Sequence, residues 1–474
     1  MSVKNRELNI FSVAAMLVSV HYGMGFLLGT GEEAFTLGLA GSLYAVSTGL
    51  GILAIMVLTK FYWNEYEPIW TLLGNRYGNQ VKIIVGVMSW AWMIGIVASQ
   101  ILGGAFILTI WGTPASPGMV ILVVLIMFIS LLPIRKSSKL FQGAFLLSFL
   151  ALFSFLWIEM ETTPVLLGMV LLALLIMIMS LLPVNKASGI FKVLLILSSL
   201  ALFYSLGAVQ GVLSYLRSPF DFIPALGQVN VAQLIGIPVI TILLTVIGMD
   251  FQQFIVQAKN VKTAYQGCLL ATIILLLLAF MPSAMVEAAK VQGILPEGID
   301  GKETIPFILA WAGGGVEHPV GIILVLSLLV TALGAGGNVL RVMNKTLLDS
   351  MKLPESNRNQ MIIAAANAIL VLCIALTGES IIDLIVSFYA IYVAGVLVPF
   401  LAYLIDKRKI YRFSSESIWW SLILGGGTSA IFLIAAIFIP EIVFIGHTGL
   451  NILLIGIGFS VVGLLMRNVV IKPS

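Results

Sequence analysis

One histidine lies within the first long apolar stretch of the chain, and glycines follow it closely. In AMLVSVHYGMGFLLGTGEEAF, residues 15–35, His21 precedes Gly23, Gly25 and Gly29. Glycine tolerates backbone conformations that interrupt a helix, and unwound backbone exposes carbonyl and amide groups to a ligand. Histidine changes charge near neutral pH, and an ionisable group inside a membrane is a functional candidate by default. The pattern predicts a broken helix beside a buried binding site; a neutral histidine bonded to a carbonyl, and close helix packing, are the alternatives.

A second group of glycines lies in the apolar stretch 319–341. Gly334, Gly336 and Gly337 occur there at close spacing and are followed by the polar Asn338. This spacing predicts a second discontinuous helix. Small residues at a close contact between two membrane helices are the alternative.

A few further polar or aromatic side chains interrupt the apolar stretches. Gln100 is an amide in the third stretch, where it either bridges helices or binds a ligand. Trp92 is deep enough in the same stretch to line a pocket. Glu32 and Glu33 are expected at the solvated end of the first stretch, and Asp383 is expected at a membrane interface.

The sequence contains no motif for enzyme chemistry. The HExxH, GxSxG and Walker patterns are all missing, so neither hydrolysis nor nucleotide-driven pumping is indicated. Cys268 and Cys373 lie singly in apolar stretches, which argues against a disulfide framework and a CxxC metal or redox site. We therefore expect no enzyme activity, no cofactor and no structural metal.

The composition indicates the elements that must position these residues. Of the 474 residues, 60% are hydrophobic and 10% charged, and the mean hydropathy is +1.10. A soluble domain needs far more charge, whereas continuous apolar runs of about 20 residues are the length at which a helix crosses a bilayer. The net charge of +4 does not favour a nucleic-acid partner. The chain is thus predicted to be an all-α polytopic membrane protein, with the lipid bilayer as its partner; its oligomeric state stays open.

Fourteen apolar stretches are predicted to cross the membrane. With the N-terminus inside, the 25 basic residues divide 22 inside to 3 outside, as the positive-inside rule requires. The expected location is the plasma (cell inner) membrane with both termini cytoplasmic. The stretches are 9–30, 36–60, 82–111, 118–134, 140–158, 165–184, 190–210, 231–250, 263–286, 319–341, 360–377, 381–404, 417–439 and 447–466.

One hairpin is repeated in tandem at an offset of 50 residues. GMVILVVLIMFISLLPIRKSSKLF (118–141) aligns with GMVLLALLIMIMSLLPVNKASGIF (168–191), which defines hairpin units 118–167 and 168–217 within a single membrane domain, 1–474. Adding two spans preserves the orientation of everything downstream. The longest loop, 287–317, is expected outside, either as a cap over that face or as a plain linker.

Several segments resemble the sodium:solute symporter family. They include LLGTGEEAFTLGLAGSLY (27–44), IWTLLGNRYG (69–78), SQILGG (99–104), GMDFQQFIVQAKNVKTAYQGCLLA (248–271) and VLVPFLAYLIDKR (396–408). The resemblance covers most of residues 9–412 and implies the five-plus-five inverted-repeat core of LeuT-type transporters. In that core, 9–30 would be the broken first helix and 231–250 its inverted counterpart.

The resemblance also implies the positions of the binding sites. Its substrate region corresponds to the first broken helix and the third stretch, at His21, Gly23, Gly25, Phe26 and Gln100. Its sodium site would use backbone and hydroxyl oxygens at Ser19, Tyr22, Thr331, Gly334 and Ala335. Gly334 and Ala335 replace the Ser/Thr hydroxyls that the family pattern requires, so either sodium or a proton carried by His21 remains open as the coupling ion.

These observations together predict a secondary active transporter that moves a small solute with a cation by alternating access. An uncoupled facilitator and a transporter-like membrane sensor are the alternatives, because the missing hydroxyls leave the ion site incomplete.

Overall fold

The protein is described by a computed structural model that covers residues 6, 8–65, 67–131, 210–351, 353–354, 356–378 and 380–466. These residues form helices and connecting turns, with one isolated β-bridge between Leu8 and Ala258. The helices are α1 (Ile10–His21), α2 (Thr30–Leu37), α3 (Leu43–Ile55), α4 (Thr59–Glu65), α5 (Ile69–Tyr77), α6 (Asn79–Leu108), α7 (Ala115–Leu131), α8 (Gln210–Ala225), α9 (Val231–Ile247), α10 (Met249–Val256), α11 (Val261–Leu278), α12 (Met281–Val291), α13 (Thr304–Ala312), α14 (Pro319–Ser350), α15 (Asn357–Thr377), α16 (Ile381–Lys407), α17 (Ser415–Phe438) and α18 (Thr448–Leu465).

Within the described residues, eight helical stretches are long and apolar enough to cross a membrane, which makes the chain a multi-pass membrane protein. They are Gly25–Glu65, Asn79–Trp111, Val261–Val291, Leu324–Ser350, Asn357–Thr377, Ile381–Lys407, Ser415–Phe438 and Thr448–Leu465; two shorter apolar helices are α7 and α9. The predicted stretches 140–158 and 165–184, nearly all of 190–210, and most of hairpin units 118–167 and 168–217 lie outside the described residues.

Side chains that cap the first turn fix where several helices begin. The Asn9 side chain accepts a hydrogen bond from the Ser12 amide at 2.9 Å, and Asn260 does the same for Thr263 at 2.8 Å. His447 caps α18 by accepting from the Leu450 amide at 3.1 Å. Each cap satisfies an amide that has no partner inside its own helix, which matters most where no water can replace it.

The predicted interruption of 319–341 is wrong. Helix α14 runs without a break through Gly334, Gly336 and Gly337. A Cβ atom at Gly336 would overlap Ile126, and one at Gly337 would overlap Ile129, both on α7. The glycines therefore allow α14 and α7 to approach closely, which is the small-residue packing common between membrane helices.

The helical bundle has two opposite faces, each named after a short helix that lies on it. They are called the α5 face and the α13 face. On the α5 face, the Arg6 guanidinium lies 3.3 Å from the Trp63 ring centroid, and the Trp63 indole donates to the Ala258 carbonyl at 3.0 Å. On the opposite, α13 face, Lys302 lies 3.4 Å from Glu32. The long loop 287–317 thus contains α13 and packs on this face rather than forming an extended linker.

Helix α16 connects the two faces. It is buried along most of its length, with Ile381 at the α13 face and Asp406 at the α5 face. The Glu32 carboxylate accepts a hydrogen bond from the Ile381 amide at 3.0 Å, so the first turn of α16 is attached to α2. Helix α6 runs beside α16 and supplies much of the remaining wall around the interior.

Candidate functional site

The first apolar span is broken directly after His21, as the glycine pattern predicts. Tyr22 has φ −81° and ψ 66°, and the Gly23 amide donates to the His21 carbonyl at 2.9 Å. This is an inverse γ-turn rather than a helical turn. Because the Gly23 amide turns to His21, the Ser19 carbonyl loses the donor that a continuous helix would supply four residues later.

The chain resumes beyond the turn as a π-helical segment, Gly25–Gly29, before α2. The Thr30 amide donates to the Gly25 carbonyl, the five-residue spacing of a π-helix. Single π-helical turns inside membrane helices frequently mark functional positions. The predicted first span is therefore two helices joined by irregular backbone.

A second break lies at Gly248, between α9 and α10. Gly248 has ψ 133°, so the helix stops and then restarts at Met249. Two tyrosines satisfy carbonyls that the break leaves without helical donors. The Tyr62 hydroxyl donates to the Val246 carbonyl at 2.7 Å, and the Tyr392 hydroxyl donates to the Ile247 carbonyl at 3.2 Å.

The two breaks meet inside the bundle. The His21 imidazole stacks on the Phe251 ring with centroids 4.6 Å apart and an interplanar angle of 12°. His21 closes α1, and Phe251 lies in the first turn of α10. The last turn of one interrupted helix thus faces the first turn of the other, which brings two sets of irregular backbone together at one place.

Gln100 lies against the first break. A Cβ atom built on Gly23 would lie 3.4 Å from the Gln100 amide nitrogen, and one built on Gly336 would lie 3.4 Å from Gln100 Cβ. Gln100 therefore stands between the broken helix and α14. Gln100 is 3% exposed, and its side-chain carbonyl oxygen has no hydrogen-bond partner.

Aromatic side chains enclose the same region. The Tyr22 and Phe26 rings lie 5.2 Å apart, and both residues are buried. On α6, the Trp92 ring lies 5.8 Å from Tyr389 and 6.2 Å from Tyr392 of α16. These rings give the region apolar walls into which a few polar groups project, the usual composition of a small-molecule site.

Three buried polar atoms in these walls lack a hydrogen-bond partner: His21 Nε2, Gln100 Oε1 and Trp92 Nε1. An unpaired buried polar atom costs about 1–3 kcal/mol, and most native proteins avoid it. The tyrosine and tryptophan rings near the breaks exclude lipid, but they provide no hydrogen bonds to these three atoms. The arrangement can therefore offer both a hydrogen-bond acceptor and a donor to a small bound molecule.

The structure places the residues of the predicted substrate site in two environments. His21, Gly23, Phe26 and Gln100 lie at the first break and its walls. Gly25 is packed tightly instead, because a Cβ atom there would overlap Ile385 and would lie 3.3 Å from Tyr44. Gly25 thus serves the close approach of the π-helical segment to α16 and α3.

The residues implied for a sodium site lie on two elements. Ser19 and Tyr22 contribute backbone at the end of α1. Thr331 and Gly334 are buried on α14 and Ala335 is half-buried there, on the helix that also contacts Gln100. No group of three or more His, Cys, Asp or Glu side chains in the described parts of the chain could hold a metal ion.

Phe251, Tyr62 and Tyr392 are parts of the site that the residue patterns did not reveal. Phe251 follows Gly248 in the GMDFQQF segment, and this glycine at the end of an apolar stretch is the local signal for the second break. The tyrosines give no such signal, because their contacts with 246–247 join distant parts of the chain.

Comparison with known proteins gives a likeness in fold. No protein-family description and no curated protein sequence matches the chain. A solved structure described as the substrate-bound outward-open state of a Na⁺-coupled sialic acid symporter is similar over 98% of this chain and 97% of that chain, with a TM-score of 0.53 and 13% identity. That protein is a transporter rather than an enzyme. The chain therefore has the fold of a helical membrane transporter.

Proposed function

We propose that the protein is a secondary active transporter that carries a small solute together with a cation by alternating access. The observation that carries the proposal is the meeting of two helical breaks at the His21–Phe251 stack, beside the unpaired Gln100 carbonyl oxygen. Discontinuous membrane helices supply substrate and ion sites in transporters because their ends expose backbone groups. The similarity in fold to a Na⁺-coupled symporter supports the same function.

The solute would bind between the break and the aromatic walls. It would donate a hydrogen bond to Gln100 Oε1 and accept one from Trp92 Nε1, which are two of the buried atoms in these walls that lack a partner. His21 would contact the solute from the end of α1. Each such bond recovers the cost of a polar group that is otherwise buried without a partner.

The coupling cation is proposed to be sodium, with a proton on His21 as the second candidate. Sodium prefers oxygen ligands, and the γ-turn leaves the Ser19 carbonyl without its helical donor. Thr331 of α14 would add a hydroxyl oxygen. Gly334 and Ala335 supply no side-chain oxygen, so water or the solute itself would complete the coordination.

The finer architecture belongs to the same proposal. The fourteen membrane spans would comprise a five-plus-five inverted-repeat core and additional spans. One copy of the duplicated hairpin would belong to the core and the other would be an addition. The pairing of α1 with α9, each followed by a break, is consistent with such a repeat. The 22-to-3 division of basic residues supports an orientation in the plasma membrane with both termini and the α5 face on the cytoplasmic side and the α13 face outside.

The purified full-length chain provides the test. A thermal-shift screen of candidate solutes, with and without sodium at two pH values, identifies a ligand. Uptake of that ligand into proteoliposomes then separates the functional classes. Accumulation above the external concentration under an imposed sodium or proton gradient supports symport. Uptake that only equilibrates supports the facilitator, and binding without any flux supports the sensor.

A further inference from the structure

An arginine on the short helix α5 is joined to an aspartate at the end of α16. The Arg76 guanidinium makes two hydrogen bonds to the Asp406 carboxylate, Nε to Oδ2 at 2.9 Å and Nη2 to Oδ1 at 2.8 Å. The Tyr77 hydroxyl donates a third, to Oδ2 at 3.0 Å. A bidentate arginine–carboxylate pair is among the stronger and more directional polar contacts in proteins. Arg76, Tyr77 and Asp406 are called the clasp below.

A second ion pair supports the clasp. Lys407, the residue after Asp406, pairs with Glu65 at the end of α4. The Tyr403 hydroxyl, one turn earlier on α16, lies 3.4 Å from the same carboxylate. The last turn of α16 is thus held to both α4 and α5, on the face where the chain enters α6.

Helix α16, which the clasp holds, and helix α4, which the Lys407–Glu65 pair holds, both reach the second break. Tyr62 on α4 donates to the Val246 carbonyl, and Tyr392 on α16 donates to the Ile247 carbonyl. The Tyr62 ring stacks on Phe400 of α16, with centroids 6.3 Å apart and planes 13° apart. A continuous set of contacts therefore runs from the clasp to the backbone of the proposed solute site.

The geometry allows the clasp to open without breaking the fold. Asp406 is 2% exposed in its side chain but Arg76 is 46% exposed, so water can reach the pair from one side and solvate both charges on separation. Helix α5 lies between Pro68 and Gly78, and Gly78 has φ 104°, a conformation that favours glycine. Pro399 lies in α16 between Tyr392 and Asp406 and has no backbone N–H, so α16 lacks one helical hydrogen bond there. Helix α16 can therefore bend most easily at this position.

The charge state of the clasp is stable. The hydrogen bond to Asp406 raises the pKa of the Arg76 guanidinium, which is cationic in any case. Burial, followed by the contact with Asp406, raises the pKa of the Tyr77 phenol, so the phenol stays protonated and remains a donor. Loss of a proton from Arg76 or Tyr77 is therefore not the event that opens the clasp, and displacement of the helices is the remaining route.

We infer that the clasp of Arg76, Tyr77 and Asp406 holds the α5 face closed. The hydroxyl contacts of Tyr62 and Tyr392 couple the opening of the clasp to the backbone conformation at the second break. The inference rests on the proposed function in one respect, that the α5 face is a side from which the solute leaves. Movement of the Val246–Ile247 backbone on loading or release would pull on α4 and α16. The Lys407–Glu65 pair joins the ends of these two helices, and the clasp joins the end of α16 to α5. A separation of α16 from α5 then opens the path.

The test uses a cysteine reporter buried between the site and the α5 face. Ser89 on α6 is fully buried, with its hydroxyl 3.9 Å from the Met249 sulfur at the start of α10. Ser89→Cys, in a chain whose Cys268 and Cys373 are replaced by serine, is labelled with a membrane-impermeant maleimide added at the α5 face. Arg76→Ala and Asp406→Asn are expected to raise the labelling rate about tenfold, the effect of a 1.4 kcal/mol shift toward the open state.

Three further variants make the result decisive. Arg358→Ala removes an exposed arginine near the start of α15 and should leave the labelling rate unchanged. Tyr77→Phe removes one hydrogen bond and should give a smaller rise in a chain that still folds. The exchange Arg76→Asp with Asp406→Arg should return labelling toward the parent rate. Unchanged labelling in Arg76→Ala and Tyr77→Phe chains that retain the parent Tm would overturn the inference.

The labelling requires no solute, so its outcome is independent of the uptake test. If a clasp variant is labelled faster but the parent protein accumulates no solute under any gradient, the proposed symport fails and the closure stands. If the parent protein accumulates solute but the clasp variants are labelled at the parent rate, the symport stands and the closure is wrong.

Discussion

The imidazole of His21 lies nearly parallel to the phenyl ring of Phe251, with centroids 4.6 Å apart. The two residues belong to different interrupted helices, His21 at the end of α1 and Phe251 in the first turn of α10. The stack therefore holds together two helix ends whose backbone groups have left regular hydrogen bonding. His21 Nε2 stays unpaired in this contact, so the ring can still bond to a molecule that enters beside it.

Replacing His21 with alanine is expected to reduce solute uptake at least about tenfold. The solute group that bonds to the imidazole would be left buried without a partner, which costs about 1–3 kcal/mol. The measurement is uptake into proteoliposomes from pH 5.5 to 8. His318→Ala, which changes an exposed histidine, is the control and should transport like the parent. If uptake by His21→Ala equals that of the parent across the whole pH range, His21 neither lines the site nor carries a coupling proton.

Replacing Gln100 with leucine should separate stability from binding. The substitution keeps a similar size and removes an unpaired carbonyl oxygen, so the ligand-free protein should melt at the same temperature or higher. The thermal shift caused by the solute should disappear, since its bonding partner is gone. Both temperatures come from one thermal-shift experiment. A leucine variant that keeps the full solute-induced shift would remove Gln100 from the site.

The contact between α14 and α7 gives a prediction about stability alone. Gly337→Ala places a Cβ atom into Ile129, so it should lower the stability by about 1–3 kcal/mol and lower the Tm. The matched control is Gly458→Ala on α18, where a Cβ atom meets nothing within 4 Å. That change should leave the Tm unchanged or raise it slightly, because alanine favours a helix over glycine. Equal effects of the two substitutions would contradict the close packing.

The hydroxyl of Thr331 tests the identity of the cation. Thr331→Val keeps the shape of the buried side chain and removes one oxygen, so the sodium concentration that gives half-maximal uptake should rise severalfold. Thr331→Ser, which retains the hydroxyl, should stay close to the parent. Uptake by the valine variant is measured across a series of sodium concentrations at fixed pH. An identical sodium dependence in the parent and both variants would favour the proton on His21.

The glycine pattern predicted the broken first span, although its glycines have different roles. Gly23 lies at the break, whereas Gly25 is packed against Ile385. The similar glycine run at 334–337 led to the wrong prediction for α14. Its role depends on Ile126 and Ile129, which lie far away in sequence and come into contact only in the fold. Local spacing alone does not distinguish an unwound segment from a tight helix contact.

For the same reason, the sequence predicted some residues around the site and missed others. Gln100 stood out as a lone amide within an apolar stretch, and it does lie against the first break. Phe251 and the two tyrosines that bond to the 246–247 carbonyls are ordinary apolar or interfacial residue types, so their sequence positions carry no signal. Their roles follow from the tertiary arrangement of α4, α10 and α16.

The most direct test of cation-coupled symport is the uptake of an identified solute into proteoliposomes containing the full-length chain, with sodium at high concentration outside and absent inside. Symport predicts accumulation above the external concentration, followed by decline to equilibrium when an ionophore dissipates the gradient. Uptake that stops at equilibrium under both a sodium and a proton gradient would contradict it.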